Sequence, residues 1–141
     1  MKLIRFLKYN RHKVMTIKAY IYSAIYRLLI LTVKPKYLRK YWGAEGKESP
    51  EEETREAYQY AMKVAYSVDK VCTKTKWESK CLVRALTAQR LLIKKGYHST
   101  LYLGCGKDGE KMVAHAWLRC GNFYVTGGNG KEYAIVSKFY K

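Results

Sequence analysis

The chain changes period once, at Gly96, and that break constrains its fold more than any other feature. Before it, apolar residues recur at helical spacing. After it, Thr100 to Cys105, Met112 to Arg119, Asn122 to Thr126 and Tyr133 to Phe139 are short runs rich in β-branched and aromatic residues, with Asp108-Gly109 and Gly121-Asn122 at the turns between them. A helical half followed by short strands on tight turns predicts an α+β fold: N-terminal helices, a central helix, then a small antiparallel sheet that the central helix covers. At 141 residues the chain holds one modest core. We expect a single domain over residues 1–141, with a basic helical segment at 1–46 and the core at 49–141.

Within the helical half, residues 3–8 and 14–33 read as helices. Pro35, Gly43 and Gly46 then break the chain, with Tyr37, Leu38, Tyr41 and Trp42 expected to pack. Ser49-Pro50-Glu51-Glu52 carries a helix-start pattern: a cap residue, a proline at the first helical position and a capping-box glutamate. From there Ala57, Ala61, Val64, Ala65, Val68 and Val71 form a narrow face of small residues. After the polar link Thr73-Lys74-Thr75-Lys76, a helix from Cys81 to Lys95 puts Leu82, Ala85, Leu86, Leu92 and Ile93 on one side. Arg84, Thr87, Arg90, Lys94 and Lys95 fall on another, and Gly96 closes the helix.

The formal charge of +17 comes from 28 Lys and Arg against 11 Asp and Glu, and the first fifty residues hold twelve basic side chains and two acidic ones. Such a surface attracts nucleic acid, an anionic membrane face or an acidic peptide, and charge alone does not choose among them. Residues 19–33 are apolar, but they contain Arg27 and fall short of the roughly 20 apolar residues of a membrane span. With no small-x-small cleavage site, they read as a buried or docking helix, with an interfacial membrane helix as the alternative. Without a signal peptide, Cys72, Cys81, Cys105 and Cys120 read as free thiols in a reducing cytoplasm.

Two of the residues that remain carry chemistry. Cys81 opens a helix, where unpaired amides and the positive end of the dipole favour a thiolate, and its own amide faces the developing oxyanion of an attacked carbonyl. Lys80 and Arg84 add positive potential. His115 is the only polar side chain in Met112 to Leu118, a strand whose composition predicts cover on both faces. Alternation groups Val113, His115 and Trp117 on one face and Ala114, Ala116 and Leu118 on the other. A thiolate with an imidazole across a helix-sheet contact makes a nucleophile and its proton partner. The competing assignment is a small hydrophobe at a helix end and a hydrogen-bonded core histidine. His12 and His98 lie in polar stretches. No Cys-x-x-Cys or His-x-x-x-His pair and no phosphate-binding glycine loop is present, so no metal or cofactor is expected.

Residues 77–96, with Cys-Leu-Val-Arg-Ala-Leu and the closing Lys-Lys-Gly, then Ala-His-Ala-Trp-Leu-Arg at 114–119 and Tyr-x-Ile-Val at 133–136, resemble the leader peptidase of lasso-peptide biosynthesis. The resemblance is to the stand-alone peptidase half of the split maturation protein, in the transglutaminase-like cysteine peptidase superfamily, and it spans residues 77–139. It implies a papain/transglutaminase-like core and a cytoplasmic cysteine protease. Cys81 would attack the amide joining leader to core in a ribosomally made precursor peptide, with His115 as general base and acid. Implied partners are the precursor, a separate leader-recognition protein and an ATP-using lasso cyclase; neither nucleic acid nor a membrane is among them.

The family carries an aspartate twelve residues beyond the histidine, where this chain has Gly127; Thr126, Asn129 or a backbone carbonyl are the available substitutes. Trp77 and Trp117 are candidate cleft walls. The alternatives are a catalytically impaired peptide-binding module of the same pathway, or a basic nucleic-acid-binding protein suggested by the charge and fourteen tyrosines.

Overall fold

The computed structural model describes residues 13–74 and 81–141. In chain order it contains α1 (Lys13–Thr32), a single helical turn α2 (Pro35–Leu38) running into a 3-10 turn (Arg39–Tyr41), β1 (Ala44–Glu45), α3 (Arg55–Lys74) and α4 (Cys81–Lys94). Then come β2 (Thr100–Asp108), β3 (Lys111–Cys120), β4 (Phe123–Thr126) and β5 (Ala134–Tyr140). The strands form one antiparallel sheet in the order β1-β5-β2-β3-β4. This is the expected α+β arrangement of helices followed by a small sheet. The expected helix at 3–8, together with His12, Trp77 and Lys80, lies outside the described residues.

All three long helices lie on one side of the sheet. Leu101, Leu118, Cys120, Val125 and Phe139 meet Ala61, Val64 and Val68 of α3 and Ala85, Leu86, Ala88, Leu91 and Leu92 of α4 in one core. α4 is buried around more of its circumference than its one apolar side predicts, because α1 and α3 flank it while β3 and β4 lie beneath. Two polar residues are thereby enclosed, each with a partner. Thr87 Oγ1 donates to Val83 O at 2.7 Å, and Gln89 Nε2 donates to Trp42 O at 2.8 Å. Leu38 and Trp42 pack as expected, whereas Tyr37 and Tyr41 are exposed.

Helix α3 begins five residues later than Ser49-Pro50-Glu51-Glu52 predicts. Thr54 is its cap, accepting from the Ala57 amide through Oγ1 at 3.2 Å. Ser49 is drawn instead onto the sheet, where its amide donates to Thr100 Oγ1 at 2.7 Å and its carbonyl accepts from Arg119 Nη2 at 3.1 Å. Arg119 is only 7% exposed. Its guanidinium also donates to Pro50 O, Gly121 O and Tyr102 Oη, so a buried charge is spent on carbonyls and hydroxyls that tie residues 49–50 to β2 and β3.

α1 is apolar on both faces, with Met15, Tyr22, Tyr26, Leu29 and Ile30 packed against the core. Thr16, Ala19 and Ser23 face inward and are fully buried, while Val14, Ile17, Ile21, Ile25, Leu28 and Leu31 point out. Its 20 residues lie within one residue at each end of the helix read at 14–33, and among the described residues it is the helix long and apolar enough to cross a membrane.

Candidate active site

Cys81 is the first residue of α4 and is half-buried. From Cys81 to Lys94 the helix rises about 20 Å, and residues 95–99 turn the chain back into β2, whose strand rise is about 3.3 Å per residue. A straight run antiparallel to β2 would bring the N-terminus of α4 toward Gly104 to Gly106, which pair with His115 and Val113 of β3. Burial agrees: on the helix-packed side of β3, Leu118 and Ala116 are covered and Ala114 is exposed. The helix cover ends where His115 begins, and the expected cover on both faces holds only for Ala116 to Cys120.

His115 is fixed by three neighbours. Its Nε2 lies 2.7 Å from the carbonyl oxygen of Gly127, and its ring stacks on Tyr133 with centroids 4.5 Å apart and on Trp117 at 5.8 Å. A carbonyl oxygen only accepts, so Nε2 carries the proton and the lone pair of a neutral imidazole sits on Nδ1. This is the tautomer a general base needs, and the carbonyl of Gly127 holds it in place of a carboxylate. Gly127 has φ +76°, and a Cβ there would lie 2.5 Å from Ala116 O and 2.8 Å from Trp117 Cβ. Only glycine fits.

The other expected site residues fall elsewhere. Thr126 does not orient the imidazole; its Oγ1 is buried with no hydrogen-bond partner among the described residues. Asn129 turns away, its Oδ1 accepting from the Lys131 amide at 3.1 Å. Trp117 is 2% exposed, stacked on Tyr102 at 5.4 Å, so it is a floor beneath His115 and no open cleft wall. Gly104 and Gly130 lie against its indole where a Cβ would overlap it. Tyr133 is the residue that sequence reasoning missed. It reaches His115 through the 127–133 loop closing over the sheet, and no spacing along the chain signals that closure.

Among the described residues no hydrogen bond joins Cys81 and His115. By alternation the imidazole lies with Trp117 and Tyr102, on the face opposite Leu118 and the helices. A cavity of about 470 Å³ opens between α1, α2 and α4, lined by Tyr26, Leu29, Trp42, Leu86 and Arg90, and it includes neither residue. Burial pushes the Cys120 thiol up to about 11. Cys120 is thereby set apart as an inert core thiol.

A family model described as the transglutaminase-like superfamily matches residues 29–138. No curated protein and no solved structure matched the chain.

Proposed function

This chain belongs to the transglutaminase-like superfamily, and on that footing we propose that it is a cysteine peptidase that removes the leader from a ribosomally made lasso precursor peptide. The Cys81 thiol gives its proton to Nδ1 of His115, and the thiolate attacks the carbonyl carbon of the leader-core amide. The oxyanion is met by the Cys81 amide at the α4 N-terminus. His115 returns the proton to the departing core amine, leaving the leader as a thioester on Cys81, and water then releases it as a carboxylic acid. The core amine is free for closure by a separate cyclase, and a leader-recognition protein presents the substrate.

The observation that carries this is the Nε2 bond of His115 to Gly127 O, which leaves Nδ1 as the nitrogen able to take a proton. The step requires the imidazole, on the Trp117 face of β3 here, to reach the thiol at the α4 N-terminus in the substrate complex. Incubation of the chain with precursor peptide and recognition protein tests it. Cys81→Ala and His115→Ala each abolish cleavage, and undiminished cleavage by either rejects the assigned role.

A second reading is favoured by the position of the imidazole on the Trp117 face and by glycine at the aspartate position: a peptide-binding module of the same pathway that does no chemistry. It expects Cys81→Ala to leave lasso production unchanged while substitutions in β3 abolish it.

A further inference from the structure

We propose that α1 seats this domain on an anionic membrane surface. Val14, Ile17, Ile21, Ile25, Leu28 and Leu31 recur at three- and four-residue steps and are 40% to 65% exposed, forming one aliphatic stripe about 26 Å long. A soluble domain rarely leaves such a patch open without a partner. The stripe offers no hydrogen-bonding group, and every charged residue of α1 and of residues 34–41 is basic. Lys13 and Lys18 are exposed along α1, Lys34, Lys36 and Lys40 follow its C-terminal end, and no acidic residue occurs before Glu45. Next to them Tyr37 and Tyr41 are 55% and 63% exposed, with Lys36 Nζ 5.0 Å and Lys40 Nζ 5.1 Å from their rings. An apolar body with a polar tip, beside a lysine, suits the lipid headgroup level.

The geometry decides between lying on a bilayer and crossing it. Thr16, Ala19 and Ser23, no more than 1% exposed, hold α1 lengthwise against α3 and α4, so only one face is available to lipid. The helix lies in the interface with its aliphatic stripe inserted. A second copy is disfavoured as occupant, since two wholly basic rims would meet. An anionic leaflet supplies both what the stripe needs and what the rim attracts.

Flotation of the full-length chain with vesicles of phosphatidylglycerol and phosphatidylcholine, against phosphatidylcholine alone, tests this without reading catalysis, so its failure is separable from failure of the peptidase assignment. The chain is expected to float with the anionic vesicles, with at least tenfold weaker partition onto neutral ones and in 0.5 M salt. Ile21→Ser with Leu28→Ser loses at least tenfold with an unchanged circular-dichroism melt, and Lys18→Gln with Lys36→Gln weakens the anionic preference while leaving the stripe intact. Undiminished binding by the serine variant, no preference for anionic lipid, or no flotation together with self-association through this face overturns it.

Discussion

Nε2 of His115 donates to the main-chain carbonyl of Gly127 at 2.7 Å, so a neutral backbone group holds the imidazole in one tautomer. An aspartate introduced at position 127 is therefore not expected to complete a triad. Gly127→Asp places a side chain at φ +76° against Ala116 O and the Trp117 side chain. We expect it to destabilise the fold by about 2 kcal/mol and to lower cleavage, as read by urea unfolding and precursor turnover. A gain in turnover would contradict the assignment.

Tyr133 is predicted to be a positioning residue. Its ring lies 4.5 Å from the imidazole of His115, and Trp117 supports both from below. Tyr133→Ala frees the imidazole and reduces kcat by roughly ten- to a hundredfold, the scale on which a misplaced catalytic group loses rate. KM changes little, and Tyr133→Phe, which keeps the stacked ring, retains activity. Equal loss in the Phe and Ala variants would exclude stacking as the cause.

Arg119 is predicted to carry more stability than any surface ion pair in the molecule. Its guanidinium is buried and donates to Ser49 O, Pro50 O, Gly121 O and Tyr102 Oη. Arg119→Met leaves these acceptors unpaired in the interior and costs about 3 kcal/mol, or roughly 10 °C in Tm for a chain of this size. Breaking Arg84–Asp69, an exposed pair at 3.2 Å, costs under about 1 kcal/mol. Calorimetry on the two variants gives the comparison.

Cys120 sets an alkaline limit on stability. Its thiol is held up to about 11, first by burial and then by the charge of Glu53, with Arg119 opposing. An unfolded thiol releases its proton near about 8.5, so between there and about 11 the folded state binds more protons. Stability from this group is complete below that window and falls as pH rises through it. Urea midpoints at pH 8 and pH 10.5 should therefore diverge in the wild type more than in Cys120→Ala.

The strand half was legible because Gly96, the turn glycines and the β-branched runs encode local geometry, and each main strand lies within a few residues of its expectation. β1 was not, since Ala44 and Glu45 become a strand only by pairing with Phe139 and Tyr140. The Ser49 cap pattern was real as a local preference but lost to Arg119 and Thr100, seventy and fifty-one residues away. The same limit applies at the site. Cys81 at a helix start and His115 on an apolar strand could be read from local pattern. The Gly127 carbonyl and the Tyr133 ring could not, because a backbone acceptor has no residue type and a stack across a closed loop has no spacing. α1 was read as a helix, but which of its faces turns inward depends on Thr16, Ala19 and Ser23 meeting α3 and α4.

The central claim is that His115 activates Cys81, and the most direct test is alkylation of Cys81 by iodoacetamide at pH 7, followed by mass spectrometry in the wild type and His115→Ala. Buried Cys72 and Cys120 stay unmodified, and half-buried Cys105 serves as the internal reference. We predict that Cys81 reacts at least tenfold faster than Cys105 and that His115→Ala removes the advantage. Equal Cys81 rates in the two proteins would contradict the pairing.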